Sequence, residues 1–94
     1  MKFHTGEIFF SRGVYAQLED PTFNSFVMTS LTRHKQCDWG DSPKEDHTSN
    51  TLALKSGARL FSSYKGPEKI WIITESVHPE LGRHYTTILF PNEY

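Results

Sequence analysis

Four side chains near the middle of the chain have the types that bind metals: His34, Cys37, Asp38 and His47. A His-x-x-Cys pair followed ten residues later by a second histidine offers ligands that zinc accepts. Structural zinc sites, however, use tightly spaced paired ligands, and this is one loose group. His34 also continues an apolar helical stripe, so a histidine satisfied by hydrogen bonds explains it without a metal. No metal and no other cofactor is expected.

Asp38-Trp39-Gly40-Asp41 is the next constellation. Two carboxylates around a tryptophan could grip a cation, a basic side chain or a ligand hydroxyl. Turn chemistry accounts for more of it: Trp39 plugs the core, Gly40 takes a positive φ, and Asp41 or Ser42 caps the following helix. Nucleophilic catalysis would draw on Cys37, but an adjacent aspartate raises a thiol pKa, and no nucleophile elbow is present. Asp38, Asp41, Glu45 and Glu75 could pair as catalytic carboxylates only if the fold brought them together. A small hydrolase or metal-dependent enzyme would use His34, Asp38 and Asp41. Arg12 and Arg59, with Arg83 and His84, could line an anionic site, since guanidinium groups bind phosphate bidentately. Joined by Asp38, Trp39 and Asp41, Arg12 and Arg59 make the candidate small-ligand set, a nucleotide-like anion being its occupant. No glycine-rich phosphate loop accompanies them. Phe61, Tyr64, Trp71, Arg83 and Tyr85 are of the types that dominate protein interfaces, although aromatic side chains serve equally well as core.

These side chains need elements to position them. Glu7 to Ser11 is β-prone, with Gly13 as a breaker. Asp20-Pro21 opens a helix by an N-cap and a proline at the first helical position. Phe23, Phe26, Val27, Leu31 and His34 follow at helical spacing, and the helix stops before Asp38. Ser42-Pro43-Lys44-Glu45 reads as a capping box opening a second helix, with a weaker stripe of Leu52, Ala53 and Ser56. Leu54 points elsewhere, and Gly57 ends the helix in a left-handed cap. From Ala58 the period changes to two. Leu60, Ser62 and Tyr64 lie on one side of a strand and Phe61 on the other. Lys65 to Glu68 makes a turn, Lys69 to Glu75 a second strand, Ser76 to Arg83 a connection, and His84 to Phe90 a last strand ended by Pro91. The expected fold is α+β, in the order β-α-α-β-β-β: a four-stranded antiparallel sheet with two helices packed on one face. The opposite sheet face stays uncovered and partly apolar, the mark of an interface.

Composition narrows the function classes. Ninety-four residues make a single domain, 1–94, and thirteen aromatic residues can furnish its core. Ten Lys+Arg against eleven Asp+Glu leave a net charge of −1, without the basic excess of a nucleic-acid binder, so no direct nucleic-acid contact is expected. One cysteine, no signal-like N-terminal stretch and no apolar run long enough for a bilayer point to a cytoplasmic protein without a membrane partner. An open sheet allows a monomer or a homodimer.

Taken in order, Phe9 to Val14, His34 through Asp38-Trp39-Gly40-Asp41, Arg59 to Tyr64, Lys69 to Glu75, and Thr86 to Pro91 with Glu93-Tyr94 resemble a family of small uncharacterised bacterial proteins. Its members carry the label "plasmid-related protein" and sometimes the mislabel of a type I restriction methylase subunit. The resemblance spans nearly the whole chain, although Val77 to Arg83 is longer than the turn usual there. It implies an association with plasmids, phages and other mobile elements, and no activity. A methyltransferase would need a large α/β sheet with a glycine-rich cofactor loop. Together these readings point to a non-enzymatic protein that binds and inhibits a host defence complex, of the anti-CRISPR or anti-restriction kind. A sponge for an anionic nucleotide-like ligand is the second reading, and the small hydrolase or metal-dependent enzyme the third.

Overall fold

The computed structural model describes residues 3–78 and 83–94, without the side chains of residues 77, 78 and 83. Strand β1 is Glu7–Phe10, followed by helices α1 (Arg12–Gln17), α2 (Pro21–Lys35) and α3 (Lys44–Ser56). Strands β2 (Leu60–Tyr64), β3 (Ile70–His78) and β4 (Arg83–Leu89) come next, and a 3₁₀ turn at Pro91–Glu93 closes the order. The fold is α+β, as its periodicities indicate.

The sheet order is β1-β4-β3-β2. β2, β3 and β4 form the expected antiparallel meander, with Ile72 opposite both Ser62 and Ile88. The expectation of a wholly antiparallel sheet is corrected at β1, which runs parallel to β4 with Glu7 opposite Tyr85 and Phe10 opposite Ile88. A parallel pair needs a long crossover, and the three helices together with β2 and β3 supply it. The long Ser76–Arg83 connection is also corrected at both ends. Ser76 to His78 extend β3, with a register shift between Ser76 and His78, and Arg83 begins β4. The centre of that connection lies outside the described residues.

Helix α2 forms where expected. Asp20 Oδ1 accepts from the amides of Thr22 and Phe23, and Pro21 occupies the first turn. Phe23, Val27 and Leu31 are buried against Tyr64, Ile70, Ile72 and Ile88 of the sheet, with Phe26 packed beside them, and His34 is buried at the end of the same stripe. Burying each large apolar side chain contributes about 1.5–3 kcal/mol.

Helix α1 is an addition to the two helices expected. Gly13 lies inside it, where the breaker reading had ended β1. Ser11 caps it by accepting from the Val14 amide, and the Glu93 carboxylate accepts from the Gly13 amide at 2.8 Å. A side chain at Gly13 would meet Glu93 Oε2 at 2.6 Å, so glycine here admits a remote carboxylate.

Helix α3 departs from its expected details. Its N-cap is Pro43 with no side-chain cap bond, so the capping box does not form; the Ser42 hydroxyl instead donates to the Trp39 carbonyl at 2.7 Å. The buried positions are Asn50 and Ala53, with Leu54 packed partly against Trp39. Leu52 and Ser56 face solvent, because α3 lies against the β2 edge rather than flat on the sheet. Gly57 ends the helix at φ 77° as expected.

Candidate functional site

Strand parity sorts the sheet side chains into two sets. Leu60, Ser62, Tyr64, Ile70, Ile72 and Ile88 face the helices. Phe61, Trp71, Ile73, Tyr85, Thr87 and Leu89, with Glu7 and Phe9 of β1, face the other way. No helix among the described residues covers this second face. Its first rung is Glu7, Tyr85 and Glu75, with Arg59 beside Glu75 at 4.0 Å. The next is Phe9, Thr87, Ile73 and Phe61, and the third contains Leu89, Trp71 and Ser63.

Aromatic rings dominate this open face. Phe61 meets Trp71 edge to face at 5.1 Å, and Phe9 meets Tyr85 at 6.2 Å. Tyr94 folds over Trp71 at 5.7 Å, and the Arg59 guanidinium stands 5.1 Å from the Tyr94 ring centroid. Phe9 is 47% exposed and Tyr94 70%, whereas Ile73 and Leu89 between the rings are buried. The result is a shallow aromatic surface with an Arg59–Glu75 pair at one end. Phe61, Trp71 and Tyr85 thus share this face. Tyr64 does not: it is fully buried on the helix side, its hydroxyl donating to the Asp38 carbonyl at 2.6 Å, and burial pushes that hydroxyl above its usual pKa. The Arg83 side chain lies outside the described residues. Phe9 and Tyr94 were missed; alternation along Glu7–Ser11 carried the signal for Phe9, but which side of the strand would remain open was not local information.

The Asp38–Asp41 segment is built into the frame. After α2, Cys37 takes φ 64°, and the Asp38 amide bonds the Arg33 carbonyl while the Cys37 amide bonds that of His34. This is a Schellman cap with cysteine where glycine is usual. Asp38 holds Arg33 by two bonds, at 2.7 and 3.1 Å, and also accepts from the Gly40 amide. The Arg33 hydrogen bond keeps the Asp38 carboxyl below its ordinary range. Trp39 is buried beside Phe3 and His34. Gly40, at φ 73°, bridges to Ser63, and Asp41 accepts from the Lys65 amide at 2.8 Å. The segment therefore seals the edge of β2. Asn50 continues the seal, its amide group donating to the Phe61 carbonyl at 2.6 Å and accepting from the Phe61 amide at 3.0 Å.

The small-ligand set is not assembled. Arg59 precedes β2 at the level of Glu75 and Tyr85, while Arg12 follows β1 beyond the level of Ile88, at the opposite end of the sheet. Trp39 is core, and both aspartates hold the turn. The thiol of Cys37 is raised, as expected, but the main cause is burial rather than Asp38.

His34 is the centre of a buried polar chain. Its Nδ1 lies 2.5 Å from Ser62 Oγ and its Nε2 2.9 Å from Thr74 Oγ1. Thr74 Oγ1 is 2.8 Å from Thr86 Oγ1, which donates to the Thr5 carbonyl at 2.8 Å. Each hydroxyl has one proton. Thr86 spends its own on Thr5, so it accepts from Thr74, and Thr74 in turn accepts from His34 Nε2–H. His34 Nδ1 then accepts from Ser62. The ring is neutral with its proton on Nε2, and burial between Phe3 and Trp39 lowers its pKa to about 4. With both nitrogens engaged, His34 has none to offer a metal or a substrate. Among the described residues, no group of three or more His, Cys, Asp or Glu side chains is placed to hold a metal ion. Among the same described residues, no helix is long and apolar enough to cross a membrane.

Compared with family models, with curated proteins and with solved structures, the chain finds no match in any of the three.

Proposed function

We propose that this protein is a non-enzymatic binding module that engages a protein partner through the open sheet face. The observation that carries the reading is the row of Phe9, Tyr85, Phe61, Trp71 and Tyr94 on a face that no helix among the described residues covers. Tyrosine and tryptophan supply large contact area at low entropic cost, and such rings dominate measured interface energetics. The near-neutral charge favours a protein over a nucleic-acid backbone as partner. His34, Asp38 and Asp41, the residues an enzyme reading would use, are each committed to holding the fold. The resemblance to plasmid-associated proteins directs the choice of partner to a host defence complex, of CRISPR or restriction type, inhibited by occupancy rather than turnover.

The test is binding to purified defence complexes, with Phe9→Ser and Tyr85→Ser on the open face and Leu52→Ser on exposed α3 as control. A stoichiometric complex is expected, weakened at least tenfold by each face variant, the effect of losing a side chain worth about 1.4 kcal/mol or more, and unchanged by Leu52→Ser. Absence of a complex, or equal affinity in all three variants, would refute the reading.

A further inference from the structure

The sheet ends in two edge strands, β1 and β2, and the fold treats them differently. An open edge presents unpaired amides and carbonyls to any other strand. At β2 these groups are occupied. Asn50 bonds both the amide and the carbonyl of Phe61. The Ser63 amide donates to the Trp39 carbonyl, and the Ser63 carbonyl accepts from the Asp41 amide. At β1 the Ser11 amide bonds the Ile88 carbonyl, which sets the phase of the parallel ladder. Glu7 and Phe9 therefore turn their amides and carbonyls to β4, and Ile8 and Phe10 turn theirs away from the sheet. Among the described residues, none of these outward groups has a hydrogen-bond partner. The strand is not buried either, with Glu7 and Phe9 exposed and Ile8 and Phe10 half-buried.

The residues of β1 suit a second copy of the same strand. In an antiparallel pair where Ile8 of each copy exchanges hydrogen bonds with Phe10 of the other, every outward group is used, and Phe9 lies opposite Phe9. The neighbouring registers pair Ile8 with Ile8, or Phe10 with Phe10, and set the other residue opposite a position outside the strand. The side chains favour the same register. Phe9, 47% exposed, meets its copy at a non-hydrogen-bonded position, where cross-strand side chains approach most closely. Ile8 and Phe10 meet on the helix side. Glu7 falls opposite Ser11, beside Arg12, rather than opposite another Glu7.

We propose that a second copy of this chain adds to the β1 edge, antiparallel about Phe9, so that two four-stranded sheets become one continuous sheet. The two-fold axis is normal to the sheet and sets both aromatic faces on the same side, joining the two Phe9–Tyr85 pairs into one row. Pairing through a strand of four residues is small, so the dimer is weak, in the micromolar to millimolar range. The inference goes beyond the protein-binding reading and does not rest on it. None of its readouts involves a defence complex, so a monomeric protein would leave that reading standing, and a missing complex would leave the dimer.

Sedimentation equilibrium of the full chain should show the mass rising toward that of two copies across this concentration range. Phe9→Lys sets two ammonium groups side by side across the axis and should weaken self-association at least tenfold. Crosslinking reads the register, in a Cys37→Ser background, with amide spectra confirming that each variant is folded. With Phe9→Cys the two Cα atoms stand about 4.5 Å apart, within the span of a disulfide. With Glu7→Cys they stand about 13 Å apart, four residues along the strand and out of reach. Tyr94→Cys reports a contact between open faces instead. Phe9→Cys should form disulfide-linked dimers at least tenfold faster than either control. A single-chain mass up to millimolar concentration, association indifferent to Phe9→Lys, or Phe9→Cys linking no faster than Glu7→Cys or Tyr94→Cys would overturn the proposal.

Discussion

Stability between pH 7 and pH 5 should be governed by His34. In the unfolded chain its imidazole has the ordinary value of 6.5, whereas in the folded state it is lowered to about 4. Between these values the unfolded state binds a proton that the folded state does not, so stability falls as pH falls. Each tenfold difference in proton affinity is worth about 1.4 kcal/mol. The loss relative to neutral pH is therefore about 2 kcal/mol by pH 5 and approaches 3 kcal/mol by pH 4. Protonation also has a geometric obstacle, because Nδ1–H would confront the Ser62 hydroxyl that now donates to it. Asp38 and Glu93 do not mimic this window. Both carboxyls are held below their ordinary values, so their contributions are present above those values and fade only in more acid solution. The assay is urea denaturation at pH 7, 6 and 5 of the native protein and of His34→Gln. The variant should lose about 1–3 kcal/mol at pH 7 from hydroxyls left poorly paired, and should lack the ~2 kcal/mol decline toward pH 5. A native protein equally stable at pH 7 and 5, or a variant with the same decline, would refute the neutral, buried assignment.

Three further outcomes follow from single contacts. Asn50→Ala removes both side-chain bonds to Phe61 and should cost about 2–3 kcal/mol in denaturant titrations; Asn50→Asp, which keeps the acceptor and loses the donor, should also destabilise. Gly40→Ala would place a Cβ 2.1 Å from the Ser63 carbonyl at φ 73°, and should lower the thermal midpoint by several degrees, whereas Ala58→Gly, at an exposed site, should change it little. Glu93→Gln weakens an acceptor of the Ser11 hydroxyl and the Gly13 and Phe90 amides, so amide exchange in α1 should accelerate at neutral pH. The difference from the native protein should vanish as acid protonates Glu93, since a depressed carboxyl contributes only while ionised.

Much of the frame was legible in the residues. Asp20-Pro21, the Phe23-to-His34 stripe, Gly57 and the period-two segments from Leu60 to Leu89 specify their elements through bonds and contacts within a few positions of each other. The same locality explains what was misread. Ser42 and Glu45 satisfy the pattern of a capping box, but the Ser42 hydroxyl bonds Trp39 once that ring is buried. Gly13 looks like a breaker until Glu93, eighty residues away, is seen to accept its amide inside a helix.

The candidate site divides along the same line. Local alternation placed Phe61 and Trp71 on neighbouring strands, but the side to which Tyr64 turned, and the exposure of Phe9 and Tyr94, depended on which face the helices would cover. The direction and neighbour of β1 were likewise not local, since a strand of four residues carries no hairpin turn to name its partner. By itself the sequence determined the elements other than α1, because capping, periodicity and turn conformation act over three or four residues. The tertiary structure decided the functional surfaces. It separated Arg12 from Arg59, tied Asp38 and Asp41 into the β2 edge and left the outward groups of Ile8 and Phe10 unpaired at the β1 edge, through contacts between residues that only the packed sheet brings together.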